Sequence, residues 1–301
     1  MIDISIIIVS YNVKDLLKKC LLSIQKYATN TIEIIVVDND SKDGTIELIK
    51  TQFPNTIIIA NQKNNGFPKA NNQAFRIAKG KYIFMLNPDT ELIDNALKKL
   101  ITQLETTSID IIAPKLLNTD LSLQDSVWRN PSIGSFLAET FHMKFLCKKK
   151  YYLDQDKSQP FEAESFSGAA ILFRREVLDR IGLLDEKLFW IEDIDFCYRA
   201  KKASLKLVYY PNAEIIHHIG QSAKNNYNIS LSNQVFNKIK FFKKHHSKTK
   251  WGIVVFFSFV HCLFKFFIFL ALSPFSITYY RKAKAYAYTL PKVFNPPIGI
   301  K

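Results

Sequence analysis

Four apolar runs, each closing on a polar residue, dominate the first third of the chain: "ISIIIVS" (4–10), "IEIIVVD" (32–38), "TIIIAN" (56–61) and "KYIFMLN" (81–87). They are β-branched or aromatic nearly throughout, the composition of strands buried on both faces. The segments between them carry a helical period. "VKDLLKKCLLSIQKY" puts Val13, Leu16, Leu17, Cys20, Leu21 and Ile24 on one face, and "GTIELIKTQF" and "PKANNQAFRIAKG" supply the next two helices. Alternation of this kind specifies an α/β fold, a mostly parallel sheet flanked by helices. Ligands in such folds bind beyond the carboxyl ends of the strands. Those ends carry Ser10, Tyr11 and Asn12, then Asp38 and Asn39, then Asn87 and Asp89.

Each polar group has an ordinary reading beside a chemical one. In "VVDNDSKDGT" the pair Asp43-Gly44 makes a turn that starts a helix at Thr45, which accounts for Ser41 to Thr45. Asp38 and Asn39 are left over, placed to bond a base and a ribose. Pro88 removes a donor and turns the chain out of the sheet, so Asp89 is presented outward. It reads either as the cap of a helix "TELIDNALKKLITQL" or as a hard oxygen ligand for Mg2+ or Mn2+. In "FWIEDIDFCYRA" the acids Glu192, Asp193 and Asp195 crowd a helix's first turn. The helix dipole favours acids there, and Asp195 is four residues before Arg199. Mutual repulsion still leaves at least one for another task, such as taking a proton from a hydroxyl. Of the adjacent His217 and His218, a strand turns only one toward any site, where a neutral imidazole would complete a metal's coordination.

Charge is uneven along the chain. From Ala223 onward there are thirteen Lys or Arg and no acid, whereas the preceding residues balance 28 basic against 27 acidic side chains. Within that basic end, "WGIVVFFSFVHCLFKFFIFLAL" (251–272) holds one full charge, Lys265, which points to an anionic lipid surface rather than a nucleic acid. Lys and Arg flank both sides of the run. A single crossing would put one cluster outside, so a monotopic or re-entrant element is expected, a buried hairpin or dimer interface being the bland alternative. Four scattered cysteines form no zinc or disulfide pattern, and the β-strand start reads as part of the fold rather than a leader. The first part of the chain is therefore expected in the cytosol, with the basic tail holding it at the inner face of the cell membrane.

Six segments taken in order resemble family 2 glycosyltransferases, in particular the rhamnosyltransferase-like branch. They are "VSYN" (9–12), "VVDNDSKDGT" (36–45), "NNGFPKANNQ" (64–73), "FMLNPD" (84–89), "SGAAILFRREVLDRIGLLDEKLFWIEDIDFCYR" (167–199) and "HHIGQS" (217–222). The resemblance implies a GT-A fold over 1–222, with a nucleotide-binding half (1–115) and an acceptor half (116–222), followed by a basic helical extension at 223–301. It implies that Ser10, Tyr11, Asn12, Asp38 and Asn39 line a nucleotide-sugar pocket, with Asn65, Lys69, Asn71 and Asn87 beside it. Asp89 and His217 would hold a divalent metal, and the Glu192–Asp193 pair would be catalytic, with Asp193 as base. Inverting transfer from a nucleoside diphosphate sugar to a glycan or lipid-linked acceptor in surface polysaccharide assembly follows.

The chain departs from the family pattern at three places. Asn87 stands where a full DxD motif has its first Asp, Pro68 and Lys69 where small residues are common, and Ser204-Leu205 where a Gly-aromatic pair is usual. The rival readings are a nucleotidyltransferase acting on sugar phosphates and a non-catalytic glycan or nucleic-acid binder. The chain lacks a GxGxxG or GxxxxGK loop for the first and a DNA-reading module for the second.

Overall fold

A computed structural model describes residues 2–27, 31–140, 152, 155–188, 190–218 and 227–297. Cys147, the lysines 148–150 and the last four residues of the final motif, "IGQS", lie outside them. The chain separates into two compact units, one comprising Met1–Asn130, Tyr151–Asp185 and Glu192–Ser222, the other Pro131–Lys150, Glu186–Ile191 and Ala223–Lys301.

The first unit runs β1 (Ile4–Ser10), α1 (Lys14–Tyr27), β2 (Ile32–Asp38), α2 (Thr45–Gln52), β3 (Ile57–Ala60), α3 (Phe67–Ile77), β4 (Tyr82–Leu86), β5 (Thr90–Leu92), α4 (Ala96–Thr106), β6 (Ile111–Leu117) and β7 (Val127–Trp128). After α5 (Ile133–Thr140), which belongs to the second unit, come β8 (Phe161–Glu162), β9 (Ser165–Phe166), β10 (Ala170–Arg174), α6 (Glu176–Ile181), α7 (Glu192–Lys202) and β11 (Leu207–His217).

Strand order across the main sheet is β3-β2-β1-β4-β10-β6-β11-β5, with β8 also on β11. Strands β1, β2, β3, β4, β6 and β11 run one way, and β10, β5 and β8 run against them. The α/β architecture expected from the alternation is therefore the one found. Two departures matter. Residues 116–165, whose sequence shows no regular strand or helix period, complete β6 and contribute β7, α5, β8 and the first residue of β9. The helix expected over 90–104 starts only at Ala96, because Thr90–Leu92 pairs with β11 instead.

Period-two alternation in β1 divides the core. Ile4, Ile6 and Ile8 pack with Leu17, Cys20, Leu21 and Ile24 of α1 and Leu97, Leu100 and Leu104 of α4. Ile7 and Val9 face the opposite cluster, with Ala70, Ala74 and Phe75 of α3 and Phe196, Cys197 and Ala200 of α7. A continuous apolar run was required because both faces are covered.

The second unit is helical: α5, α8 (Tyr227–His245), α9 (Lys248–Leu272) and α10 (Ile277–Thr289). Ser247 caps α9 by accepting from Lys250 N (3.4 Å), and Pro274 falls in a 3-10 turn just beyond its end. Helix α9 is buried at Val254, Val255, Ser258 and Cys262, one side of its first half. Phe269 stacks on Tyr279 and Tyr286 of α10, with ring centroids 5.9 and 5.8 Å apart. Elsewhere α9 shows Phe256, Leu263, Phe264, Phe267 and Leu270 to solvent.

Candidate functional site

The codirectional strands end in register. Ser10 pairs with Asp38, Asp38 with Ala60, Ile8 with Leu86, and Ile216 with Leu117. Whatever follows these positions accordingly emerges on one edge of the sheet.

The first part of that edge is an amide network. Asn39 N donates to Ser10 O (2.8 Å), and Asn39 Oδ1 accepts from Asn61 Nδ2 (2.9 Å) and Asn65 N (3.5 Å). Asn61 and Gln73 exchange two side-chain bonds of 2.9 Å each. Asp38 is fully buried. Its Oδ2 accepts from Ser41 N (2.9 Å), while its Oδ1 has no partner. The hydroxyl of Ser10 and Oδ1 of Asn71 are likewise buried and unpartnered. Asn71 Nδ2 donates back to Phe67 O (2.9 Å), which fixes the way its amide points. Asn12, at φ 53°, accepts from Lys42 N (2.7 Å) and so ties the exit of β1 to the 41–45 turn. That turn is the predicted one: Asp43 Oδ1 accepts from Thr45 N (3.1 Å), and Gly44 takes φ 83°. Tyr11 and Lys69 are exposed.

The second part is the turn after β4. Asn87 N donates to Ala169 O (2.8 Å), Thr90 Oγ1 to Asn87 O (2.7 Å), and His218 N to Asp89 O (2.8 Å), so the turn is held on three sides. Asp89 does not cap α4, which begins after Asn95. It is buried instead, and its Oδ1 accepts no hydrogen bond. The β11–β5 register sets His217 against Thr90, which brings His217 Nε2 to 3.3 Å from Asp89 Oδ1 and 3.5 Å from Asn87 Nδ2. Asn87 Oδ1 is a further buried acceptor without a donor. His218 turns the other way, to Glu91 Oε1 (2.7 Å) and Thr119 Oγ1 (3.0 Å).

The third part is the start of α7. Asp193 Oδ2 accepts from Gly168 N (2.8 Å) and Oδ1 from Ile194 N (2.7 Å). Desolvation pushes its pKa up to about 6, against the pull of those backbone N–H groups. Gly168 and Ala169 are adjacent. The turn bearing Asn87 and the helix bearing Asp193 thus meet at the entry to β10. A Cβ on Gly168 would stand 3.3 Å from Asp193 Cβ. Asp195 is committed elsewhere, to Arg199 Nε at 2.8 Å, and Arg199 also donates to Leu183 O (2.9 Å) and to Ile181 O. Glu192 is buried in the same first turn as Asp193.

The sequence reading did not single out Gln124, Gly168, Asn61 or Gln73 for these bonds. Gly168 and Gln73 fall inside quoted motifs and Asn61 closes a quoted strand, but nothing local marks their bonds. Gln124 carries no local signal, since His217 lies 93 residues away.

Among the described residues no three His, Cys, Asp or Glu side chains cluster as a metal centre. The pair Asp89 Oδ1 and His217 Nε2 fits two adjacent ligands of a small octahedral cation, whose bonds of about 2.0–2.1 Å separate neighbours by about 3 Å. Such a cation takes its remaining ligands from water or phosphate.

Such a sheet, with polar residues at its carboxyl edge and with the β4 turn and the start of α7 both bonded to the Gly168–Ala169 segment, is that of a GT-A-type α/β protein. Residues 5–182 match the model of Glycosyl transferase family 2, and the chain belongs to that family. A low-salt glycan biosynthesis hexosyltransferase, Agl10 of Haloferax volcanii, is 27% identical over 222 residues, covering 71% of this chain and 67% of that protein. The N-acetylglucosaminyl-diphospho-decaprenol L-rhamnosyltransferase of Mycobacterium tuberculosis is 24% identical over 236 residues, covering 72% and 76%. Glycosyltransferase GlyA of Streptococcus pneumoniae is 27% identical over 220 residues, but the chain spans only 32% of its length. Among solved structures, a mannosyltransferase from Pyrobaculum calidifontis in complex with GDP-Man and Mn2+ superposes with TM-score 0.56 at 14% identity, over 97% of this chain and 87% of that one. GalNAc-T7 with UDP, GalNAc and Mn2+ gives 0.60 at 17% identity, over 81% and 48%.

Proposed function

We propose that this protein is an inverting glycosyltransferase that moves a hexose or deoxyhexose from a nucleoside diphosphate sugar to a hydroxyl of a glycan or lipid-linked acceptor, in surface polysaccharide assembly. The observation that carries this reading is the set of buried, unpartnered oxygens at one edge: Ser10 Oγ, Asp38 Oδ1, Asn71 Oδ1, Asn87 Oδ1 and Asp89 Oδ1. Native proteins pair nearly all such atoms, so a cluster of orphans marks where a ligand's donors or a cation belong. Asp38 and Asn39 bind base and ribose, and Ser10 and Asn71 border the same pocket. Asn65 and Lys69 flank it, Lys69 as an exposed cation within reach of phosphate.

Asp89 and His217 hold a divalent cation, Mg2+ or Mn2+, together with the donor diphosphate. When bound there, the cation stabilises negative charge growing on the departing nucleoside diphosphate. Asp193 accepts the acceptor hydroxyl's proton as that oxygen attacks the anomeric carbon from the face opposite the leaving group. One displacement inverts the configuration, and the chain needs no nucleophile of its own. Gly168 N and Ile194 N fix the carboxylate so that it meets the incoming hydroxyl without reorganising.

The names of the relatives support the substrate class, a hexosyl- and a rhamnosyltransferase. Mn2+ in two structural neighbours supports the cation. Incubation with a panel of nucleotide sugars and Mn2+ tests the reading: release of a nucleoside diphosphate is expected, and release of pyrophosphate, or no turnover with any donor, refutes it.

The basic second unit is proposed to seat the enzyme on the cytoplasmic face of the membrane through α9. Among the described residues, Lys248–Phe275 is the one helical stretch long and apolar enough to cross a bilayer. The charge clusters on both flanks favour a helix lying at the surface.

A further inference from the structure

Gln124 lies in the stretch between β6 and β7 and is buried, with its backbone N on Leu116 O (2.9 Å). Its side chain makes three bonds. Nε2 donates to Asn118 Oδ1 (3.0 Å) and to the backbone carbonyl of His217 (3.1 Å), while Oε1 faces His217 Nδ1 at 2.7 Å. A backbone carbonyl only accepts. Flipping the amide would set oxygen against oxygen there, so Oε1 must be the atom at Nδ1. An amide oxygen also only accepts, so Nδ1 carries the proton. When the ring carries one proton, its lone pair lies on Nε2, which faces Asn87 Nδ2 at 3.5 Å and Asp89 Oδ1 at 3.3 Å. Two acceptors facing each other at that distance repel unless something positive sits between them.

We infer that Gln124 is a positioning residue for the metal site: by accepting the Nδ1 proton of His217 while holding that residue's own carbonyl, it fixes the ring's tautomer and rotation so that Nε2 meets a divalent cation beside Asp89. The inference rests on the metal assignment above and adds to it a residue outside the family motifs. Outer-sphere partners of metal-bound imidazoles have this effect, and losing one weakens metal binding by about 10–100-fold.

The test uses Mn2+ alone as the probe and the full chain. Gln124→Met keeps the length of the side chain and removes all three bonds. Mn2+ titration followed by electron paramagnetic resonance is expected to show a 10–100-fold weaker dissociation constant for Q124M than for wild type. Long-range 1H–15N spectra of histidine-labelled, metal-free protein at pH 8.5, with the His217 signals assigned by their loss in His217→Gln, are expected to place the proton on Nδ1. Q124M is expected to show both tautomers. Gln124→Glu loses the donor to Asn118 and to the His217 carbonyl but retains an oxygen that attracts the Nδ1 proton, and is expected to keep the wild-type tautomer.

Equal Mn2+ affinity in wild type and Q124M overturns the inference while leaving the metal site standing. Failure of wild type to bind Mn2+, both alone and with a nucleoside diphosphate present, overturns the metal reading itself. Should Q124M not fold, a wild-type proton resident on Nε2, or a Q124E spectrum with the proton moved, overturns the inference without it.

Discussion

The proposed chemistry rests on one side chain, that of Asp193. Its carboxylate is held by two backbone N–H groups and raised to about 6 by burial, so it is ionised at neutral pH yet basic enough to take a hydroxyl proton. Asp193→Asn preserves the shape and removes the base. Transfer is expected to fall by about 10^2–10^4-fold while a nucleoside diphosphate still binds, measured by turnover and by calorimetry. In wild type, kcat/KM should climb tenfold per pH unit below 6 and level off above it. Stability moves the opposite way. The folded state holds this proton more tightly than the unfolded chain, whose aspartate titrates near 3.9, so Asp193 makes the protein less stable as pH rises from about 4 to about 6. Denaturation across that window should lose this slope in Asp193→Asn; an unchanged slope would show that the shift lies elsewhere.

Gly168 tests the same carboxylate by geometry. A methyl group there meets Asp193 Cβ at 3.3 Å and Oδ2 at 3.4 Å. Gly168→Ala should cut kcat by about 10–100-fold with little change in the melting temperature, because displacing a catalytic group by a fraction of an ångström is costly. What could be read at this scale was residue type: an Asp after "NP" and acids at the head of a helix. That Asp195 belongs to Arg199 was also visible, as an i,i+4 pair. Gln124 and Gly168 were not, because their partners lie 93 and 25 residues away.

Elements were legible where their pattern was local. The four parallel strands and the helices between them follow from runs and periods, and Asp43-Gly44 from turn chemistry. Antiparallel β10 and the short β5 were not, because a strand's partner depends on the rest of the sheet, and "TEL" continues smoothly into a helical pattern. That short pairing positions the proposed metal ligands. Only because Thr90–Leu92 joins β11 does His217 come to Asp89, and only then is Asp89 relieved of a cap's role.

One junction ties three segments of the first unit together. Where the chain enters β4 after α3, Gly80 N donates to Ser5 Oγ (2.8 Å), Ser5 Oγ donates to Glu33 Oε1 (2.5 Å), and Lys79 N donates to the same oxygen (2.6 Å). A Cβ at Gly80 would lie 2.4 Å from Ser5 N and 2.6 Å from Ile4 C, both backbone atoms of β1 that cannot step aside. Gly80→Ala should therefore destabilise the protein by about 2–3 kcal/mol in chemical denaturation. Gly252→Ala, which meets nothing within 4 Å, is the control and should change little. Equal effects in the two would mean that the junction gives way.

At the scale of the whole chain, charge and hydropathy separate two tasks. The first unit is near neutral and buries its apolar runs, whereas from Ala223 on there are thirteen basic residues, no acid, and a helix that leaves large aromatic groups in water. Phe256, Phe264 and Phe267 are 59%, 63% and 58% exposed, and Phe275 just beyond is 81% exposed. An apolar face of this kind marks an interaction surface, and with the basic residues of the same unit the partner we propose is an anionic lipid surface. An anionic lipid surface attracts each nearby Lys or Arg by about 1 kcal/mol, and each phenylalanine buried in it adds about 1.5–3 kcal/mol. The two contributions respond differently to salt, which screens the first and spares the second. Wild type should therefore sediment with phosphatidylglycerol vesicles at low salt and remain largely bound at high salt. Phe264→Asp with Phe267→Asp should release it, with turnover of a soluble acceptor intact because neither side chain is part of the catalytic edge. If the double variant sediments as wild type does, or if wild type stays in the supernatant and elutes as a dimer, the aromatic face serves another copy of the chain and not the membrane.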